Sequence, residues 1–392
     1  MTNANSQKSS FIIWGIRLLV SLLFIFSGLI KANDPIGFAY KLVEYFEVFN
    51  LQFLNDYSVA IAIFICSLEI ILSALLLFGF WSKKIIWGLL LLIVFFTFLT
   101  FYSAFFEVVS SCGCFGDAIP LTPWQSFTKD ILLLILIGIL FYYKGQIKPL
   151  IDDQYTQYIL TTGIIVISIG IGVYTYNFLP VIDFLPYKVG NNLPALMTVP
   201  EGELLDEYET TYVLANKVTK ETKKVSDKVY LQDELWKDES WEIVDEPETR
   251  LIKEGYQVPI SDLMISDNDG IDHTDEVIEN PDYNLIIVAY DMYKTNKVGL
   301  QKLNEIAKSV AEDYRIRTVL LTASSSQTVE EVTSDLDLYM EVFYADAVPL
   351  KSMVRSNPGL ILLKDGKVIK KWHFHVLPTA EKLADKYFTP QN

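Results

Sequence analysis

Cysteine is scarce in this chain and missing from most of it. The three cysteines among 392 residues are Cys66, Cys112 and Cys114, and none follows Cys114. A disulfide-stapled secreted domain needs more cysteines than this. The second half of the chain therefore has no thiol, and any cysteine chemistry belongs to the first half.

An excess of basic residues is also absent. The net charge is −16, and it is unevenly distributed. Residues 1–182 carry 9 Lys and Arg against 10 Asp and Glu, whereas the remainder carries 23 against 38. Nucleic-acid binding needs clustered basic side chains, so nucleic acid is excluded as a partner. Phosphate-binding glycine loops, nucleophile elbows and His-Glu-x-x-His helices are missing too.

Long apolar runs are what the first half does contain. Five segments stand out, at residues 11–30, 58–80, 85–105, 130–143 and 158–179. About 20 apolar residues cross a bilayer, so the lipid bilayer is the expected surrounding of this half. The fourth run is short enough for a re-entrant segment, but the alternation of the loops favours a full span. The first run is too long for a cleaved signal peptide and is typical of a signal anchor.

Two short basic loops predict the orientation. Lys83 and Lys84 lie in one loop and Lys144 and Lys148 in another, while the loops on the opposite side are acidic. The positive-inside rule places the basic loops in the cytoplasm. The chain is therefore predicted to lie in a bacterial inner membrane, with a cytoplasmic N-terminus and a periplasmic C-terminal domain.

Ionisable residues inside apolar spans are costly and usually face a helix bundle or a wet cavity. Arg17 and Glu69 are such residues, and we expect them to form a pair. The pair either sets the helix register or makes Glu69 a proton-handling group beside a ligand pocket. Cys66 lies one turn from Glu69, where it is either a small apolar filler or a weaker redox candidate.

The sharpest local feature is residues 111–117, Ser-Cys-Gly-Cys-Phe-Gly-Asp, in the external loop after the third span. Gly113 permits backbone angles that let the thiols of Cys112 and Cys114 meet, and a strained bridge exchanges readily. An oxidising compartment allows such a bridge to form. A tight turn with incidental cysteines is the alternative. No nearby His or third Cys completes a tetrahedral metal set.

These residues resemble the DoxX/MauE group of bacterial membrane proteins over residues 10–145. The resemblance includes the Cys-Gly-Cys-Phe-Gly-Asp segment, Ser-Gly-Leu-Ile-Lys-Ala at 27–32, and Pro-Leu-Thr-Pro-Trp at 120–124. It implies that Cys112 and Cys114 are a redox pair, with quinone as a candidate cofactor. The appended external domain makes the whole chain similar to proteins of the Bacteroidetes.

The external half begins with a β-rich stretch and then alternates strands with helices. Alternating residues predict strands at 208–214, 228–231 and 241–244, with a hairpin and solvated turn between the first two. From about residue 255 the pattern is strand, helix, strand, helix, a hairpin through Asp365-Gly366 and a final helix, which predicts a mixed sheet.

That order resembles a thioredoxin fold over residues 255–388, and residues 258–270, which include Asp269-Gly270, resemble the opening hairpin of TlpA-like and peroxiredoxin-like proteins. Pro358 falls at the cis-proline position of that fold and is read as a structural residue. The Cys-x-x-Cys segment is replaced by residues 291–295, Asp-Met-Tyr-Lys-Thr. This domain therefore cannot perform dithiol exchange. His373 and His375 alternate on a strand, but no third ligand supports a metal site.

The sequence thus predicts a membrane helical bundle followed by a soluble α/β domain. The predicted parts are a DoxX/MauE-like bundle (1–150), a fifth transmembrane helix and linker (151–185), a small β-rich region (186–254) and a thioredoxin-like domain (255–392). One hypothesis is a membrane thiol–disulfide or quinone oxidoreductase whose external domain binds a periplasmic or membrane client protein. The other is a non-enzymatic envelope scaffold or assembly factor. A transporter is disfavoured because no inverted repeat is present.

Overall fold

The first part of the protein is entirely helical. The computed structural model describes residues 2–109, 113 and 115–388, with side chains from residue 11 onward. The helices are α1 (Thr2–Asn33), α2 (Pro35–Val48), α3 (Ser58–Phe78), α4 (Ser82–Phe106), α5 (Pro123–Tyr142) and α6 (Gln154–Phe178). Within the described residues, five segments are long and apolar enough to cross a membrane: Phe11–Asn33, Gln52–Phe78, Ser82–Phe106, Pro123–Tyr142 and Gln154–Phe178. The predicted multi-pass bundle is confirmed.

The fourth span is longer than its apolar run predicts. It begins at Pro123 rather than at residue 130, because Thr122 forms a capping box. The Thr122 hydroxyl accepts the backbone N–H of Gln125, and the Gln125 side chain accepts the N–H of Thr122. These bonds satisfy N–H groups that a helix start leaves unpaired. The resulting helix has 20 residues, which is enough for a full crossing.

Helix α2 occupies the connection between the first two spans, where the sequence analysis predicted no helix. Asp34 caps the helix by accepting the backbone N–H of Gly37 at 2.9 Å, and Pro35 takes the first helical position. Both residues are favoured at a helix start. Apolar side chains of α2 pack against α3, so this external segment is ordered by contact with the bundle.

Small residues bring the spans close together. A Cβ added to Gly28 of α1 would lie 2.7 Å from Ile70 Cγ1 of α3, so the two backbones approach more closely than a larger residue allows. Thr175 of α6 donates its hydroxyl to the Ala32 carbonyl at 2.6 Å. Such contacts are how membrane helices associate without a hydrophobic driving force between them. Cys66 is fully buried at this α1–α3 contact.

The expected pair of Arg17 and Glu69 does not form. Arg17 donates to the carbonyl oxygens of Leu76 at 2.8 Å, Leu77 at 2.6 Å and Lys148 at 3.0 Å. The close approach of Gly28 to Ile70 sets the register of α1 against α3. In this register Arg17 lies level with the C-terminal end of α3, closer to that end than Glu69. Arg17 therefore has a structural role, since it satisfies carbonyls that a helix end leaves unpaired.

A short helix, α7 (Leu193–Met197), and a small antiparallel sheet follow the bundle. The sheet contains β1 (Glu207–Asn216), β2 (Thr222–Ser226), β3 (Trp241–Ile243) and β4 (Glu248–Lys253), with β1 pairing with the other three. The strand predicted at 228–231 is wrong. Those residues lie in α8 (Asp227–Gln232), because Ser226 caps a helix there by accepting the N–H of Val229.

The rest of the chain is an α/β unit built on a five-stranded sheet. Its elements are α9 (Thr274–Ile278), β5 (Tyr283–Val288), α10 (Lys297–Tyr314), β6 (Arg317–Thr322), α11 (Ser326–Thr333), β7 (Glu341–Tyr344), α12 (Ala347–Met353), β8 (Gly359–Lys364), β9 (Lys367–His373) and α13 (Ala380–Leu383). The strand order is β7-β6-β5-β8-β9. Strands β5, β6 and β7 are parallel, while β8 and β9 run antiparallel. The predicted mixed sheet is confirmed, and β7 and α12 were not predicted.

Both faces of this sheet are buried. Leu285 and Ile287 of β5 point to one side, where α10 and α11 pack, while Ile286 and Val288 point to the other, where α12 packs. Alternate residues of a strand face opposite sides of the sheet. When both faces are covered, each strand therefore has a continuous run of apolar residues in its sequence. The opening hairpin predicted near Asp269-Gly270 is reduced to isolated bridges of Ser266 with Asp272 and Tyr344.

Candidate functional site

Lys31 and Glu69 form a buried ion pair inside the bundle. The Lys31 Nζ lies 2.5 Å from Glu69 Oε2, and the two side chains are 3% and 2% exposed. Lys31 also lies over the rings of Phe96, at 4.7 Å, and Phe38, at 5.4 Å. A buried charge is stable only when it is paired, and each of these ions supplies the other's partner.

A second charged pair lies across the bundle on α5. Lys129 Nζ is 2.5 Å from Asp130 Oδ1, and Asp130 Oδ2 accepts the hydroxyl of Thr100 at 3.0 Å. Asp130 is 1% exposed. The early start of α5 places these two residues inside the span. The bundle thus contains more ionisable groups than the two that the sequence analysis singled out.

Both pairs line one small internal cavity. Its volume is about 40 Å³, and its other walls are mostly apolar and aromatic. A single water needs roughly 10–15 Å³ measured this way, so the cavity has room for about three waters. Gly113 and Phe115 also line it. Cys112 and Cys114, which flank Gly113 in sequence, lie outside the described residues.

The cavity is too small for a quinone head group. A cavity of about 150 Å³ is of the size that binds benzene, and a quinone ring is larger than benzene. The inner cavity by itself therefore does not fit this cofactor.

A larger cavity of about 430 Å³ lies between the bundle and the external domain. It shares Lys31, Phe38 and Gly113 with the inner cavity, so the two meet beside the Cys-Gly-Cys loop. Its outer walls include Lys351 and Arg355 of the external domain. Burial lowers the pKa of Lys351. The outer cavity therefore adjoins the inner one and has charged groups in its wall.

Arg355 joins the two halves of the protein at the outer cavity. Its Nε is 2.8 Å from Asp34 Oδ2, and its Nη2 is 3.3 Å from Asp117 Oδ2. The side chain is 6% exposed. Burial acts to lower the pKa of Arg355, but the surrounding charges and hydrogen bonds, among which the carboxylate of Asp34 acts most strongly, together outweigh burial and the net shift is upward. Burial raises the pKa of Asp117, which the guanidinium opposes.

Further contacts between the halves surround Arg355. The Tyr40 hydroxyl donates to the Tyr290 hydroxyl at 3.1 Å, and Lys371 Nζ is 2.7 Å from Asp183 Oδ2. Burial raises the pKa of Tyr40 and lowers that of Lys371. The external domain is therefore held on the bundle by buried polar contacts.

Residues 291–295 lie beside Asn357 and Pro358. The Asn357 side chain donates to the Asp291 carbonyl at 2.8 Å, and the Asn357 carbonyl accepts the N–H of Asn296 at 3.0 Å. The Asn357–Pro358 peptide bond is cis, at the position where the resemblance places one. Met292 is fully buried, so this segment is part of the packed domain.

His373 and His375 do not share a strand face. His373 ends β9, and its Nδ1 accepts the backbone N–H of His375 at 3.2 Å. His375 Nδ1 instead lies 3.0 Å from the carbonyl of Asn177, at the end of α6. Among the described residues, no group of three or more His, Cys, Asp or Glu could hold a metal ion.

Residues 9–143 match the family model of methylamine utilisation protein MauE. A relative, Protein TlpB of Flavobacterium psychrophilum, is 33% identical over 144 residues, which are 36% of this chain and 39% of that protein. The chain thus matches well under half the length of this relative. No solved structure matches.

Sequence reasoning identified Glu69 but missed its partner Lys31 and the pair of Lys129 and Asp130. All three missed residues lie near the external ends of spans, where the apolar runs had been cut short. The capping signals at Thr122-Pro123 and Asp34-Pro35 could have extended those helices. No sequence signal pointed to Arg355, since its two partners are hundreds of residues away.

Proposed function

We propose that this protein is an inner-membrane redox protein of the cell envelope that exchanges thiols and disulfides through Cys112 and Cys114. The observation that carries the proposal is that Gly113 and Phe115 line the cavity that holds the Lys31–Glu69 ion pair. The similarity of residues 9–143 to the MauE family supports it. Cys112 and Cys114 flank Gly113 in the sequence.

In the proposed exchange, the Cys112–Cys114 disulfide oxidises two thiols of a client protein. Two electrons pass to the Cys pair, a disulfide forms in the client, and the client's two protons are taken up as the pair becomes a dithiol. Glu69 and Lys31 hold protons in a cavity of water size next to the loop, which suits proton handling. Quinone remains a prediction for the acceptor, and no step is derived through it.

We further propose that the external domain has a thioredoxin-like fold without thiols and holds the client. The strand order β6-β5-β8-β9, with β5 and β6 parallel and the β8–β9 hairpin antiparallel, supports this fold. We also propose a four-part division at residues 150, 185 and 254, which is compatible with the end of α5 at Tyr142, the end of α6 at Phe178 and the end of β4 at Lys253.

Mass-tag alkylation of the protein in membranes, with and without reductant, tests the redox proposal. We expect Cys112 and Cys114 to be protected until reductant is added, and Cys112→Ser and Cys114→Ser to abolish complementation of a deletion. Cys66→Ser is the matched control, because Cys66 is buried at a helix contact and does not line the cavity. Free thiols under aerobic growth would refute the proposal.

A second candidate is a non-enzymatic scaffold or assembly factor. It is favoured by β4, which is exposed along its length, with Leu251 and Ile252 44% and 50% exposed. Exposed apolar strand edges are typical of docking surfaces. If the Cys112→Ser/Cys114→Ser protein complements fully while Leu251→Lys/Ile252→Lys does not, this function replaces the first.

A further inference from the structure

A further cavity lies where the fifth span leaves the membrane. Helix α6 is the least buried of the five spans, and its last two turns carry three exposed aromatic side chains, Tyr174, Tyr176 and Phe178. Aromatic rings of this kind settle at the interface between a bilayer and water. The cavity has a volume of about 490 Å³, and Phe178 is part of its wall. It therefore lies at the membrane surface, on the side where α6 ends, and is called the interfacial cavity below.

Positive charge is concentrated in the wall of the interfacial cavity. Four cationic side chains line it, whereas Asp183 is the one carboxylate among the described residues of the wall; the cations are Lys188, Arg355, Lys370 and Lys371. Acidic residues outnumber basic ones in the external half of the chain as a whole. The local charge is therefore opposite in sign to that of the surrounding domain, which favours an anionic ligand.

Two of the four cations are available to a ligand. Lys371 is paired with Asp183, and Arg355 with Asp34. Lys188 and Lys370 are exposed and have no carboxylate within ion-pair distance among the residues that the structure describes. Their ammonium groups can therefore both contact one phosphate group without breaking an existing pair.

Backbone contacts hold these two lysines beside the end of α6. Gly190 donates its N–H to the Val368 carbonyl at 2.8 Å, so the segment after Lys188 runs along β9, the strand that contains the second lysine. His375, just after β9, has its Nδ1 3.0 Å from the carbonyl of Asn177 in α6. The strand is thus fixed against the end of a membrane span.

Exposed apolar side chains border the same cavity. Val181, Ile182 and Val189 line it and are 71%, 57% and 50% exposed. The Asn33 side chain donates to the Ile182 carbonyl at 2.7 Å and accepts the Ile182 N–H at 3.0 Å, so this border lies level with the end of α1. A soluble anion has no use for an apolar border at the membrane surface, whereas the acyl chains of a lipid do.

We propose that the interfacial cavity binds the head group of an anionic phospholipid. Lys188 and Lys370 contact the phosphate, while Val181 and Ile182 meet the upper part of the acyl chains. Basic pockets beside membrane spans bind such head groups, and cavities of about 300–1,000 Å³ accommodate ligands of this size. The bound lipid fixes the external domain against the membrane surface.

Native mass spectrometry of the full chain in detergent, titrated with phosphatidylglycerol, measures the dissociation constant of the first bound lipid. For Lys188→Gln/Lys370→Gln we expect this constant to rise about thirtyfold, because each lysine near an anionic lipid contributes about fivefold to the affinity. Both side chains are exposed, so the substitutions should leave the fold intact. Zwitterionic phosphatidylcholine should bind the parent protein and the variant equally.

Lys364→Gln/Lys367→Gln is the matched control. These two lysines are exposed, belong to the same hairpin and remove the same charge, but neither lines the interfacial cavity. We expect the control to bind phosphatidylglycerol as tightly as the parent protein does. If it loses as much affinity as Lys188→Gln/Lys370→Gln, attraction by overall charge explains the binding, and the proposal is overturned.

The remaining arms identify the source of the anion. Val181→Gln/Ile182→Gln should weaken the binding of phosphatidylglycerol, since it removes the apolar border but no charge. Unchanged lipid affinity in that variant would contradict the proposal. If inorganic phosphate displaces phosphatidylglycerol at equal concentration, the cavity is a site for free phosphate. If a short polyglutamate peptide binds more tightly than the lipid, the cavity is a site for an acidic protein, and the lipid proposal fails in either case.

Discussion

Among single residues, the buried charges inside the bundle are paired, Lys31 with Glu69 and Lys129 with Asp130. Lys31 and Glu69 are each almost fully buried, and the same is true of Asp130. Removing one member of a buried pair leaves an isolated charge, whereas replacing both members with apolar residues removes the charge altogether. The two kinds of change therefore have different costs.

Lys31→Met should destabilise the protein by about 3–5 kcal/mol, and Lys31→Met/Glu69→Leu by clearly less. Denaturant unfolding of the purified protein in detergent measures both. The control is Lys41→Met, which breaks a partly exposed pair with Glu44 and should cost no more than about 1 kcal/mol. A double variant less stable than Lys31→Met would show that the ion pair is not the source of the effect.

Protonation of His373 should destabilise the protein at acidic pH. Burial lowers the pKa of His373 to about 4, and its Nδ1 accepts a backbone N–H, which requires the neutral ring. An unfolded histidine has a pKa near 6.5, so the folded state binds fewer protons between pH 6.5 and 4. The stability that His373 contributes is present above pH 6.5 and is lost as the pH falls toward 4.

The measurement is resistance to proteolysis in urea for the full chain in detergent, at pH 7.5 and 5. His373→Asn should reduce the difference between the two pH values. His273→Asn is the opposite control, because hydrogen bonding to Glu276 raises the pKa of His273. Its stabilisation is present at low pH and is lost as the pH rises. An unchanged pH dependence in His373→Asn would contradict the prediction.

At the level of secondary-structure elements, turn and cap residues determine where the helices and hairpins begin and end. The β8–β9 turn has positive φ at both Asp365 and Gly366, which is the pattern of a two-residue type I′ hairpin. A Cβ on Gly366 would lie 2.6 Å from Pro194 Cδ, so the turn also packs against α7. Asp-Gly was read correctly as a hairpin from sequence, but its packing against α7 was not visible there.

Gly366→Ala should therefore destabilise the external domain by roughly 2–3 kcal/mol, from backbone strain and the clash with Pro194. Gly270→Ala separates the two causes, because Gly270 also has positive φ but has nothing within 4 Å of an added Cβ. It should cost only the strain, about 1 kcal/mol. Equal losses of urea midpoint in the two variants would rule out the clash.

At the scale of the whole molecule, the protein is a bundle whose outer end is covered by an α/β domain. The predicted orientation depends on four lysines in two short loops. It places the Cys-Gly-Cys loop and the external domain on the same side, which their contacts through Asp117 and Arg355 require.

Labelling single cysteines in a cysteine-free variant tests the orientation. A cysteine at Lys217 of the small sheet should react with a membrane-impermeant maleimide in spheroplasts, whereas one at Lys83 should react only after lysis. Both positions are exposed, so accessibility within the fold does not confound the comparison. Labelling of the Lys83 position in intact spheroplasts would show the opposite orientation. The cysteines would then be exposed to cytoplasmic reductants.

The five spans, the mixed sheet and the burial of the charged Glu69 were predictable from the sequence alone. Each of these depends on local periodicity, composition or a turn signal, which neighbouring residues carry. The partner of Glu69, the displacement of Arg17 to the end of α3, and the Arg355 junction were decided only by the tertiary structure. These contacts depend on helix register and on residues up to 321 positions apart, which no local pattern encodes.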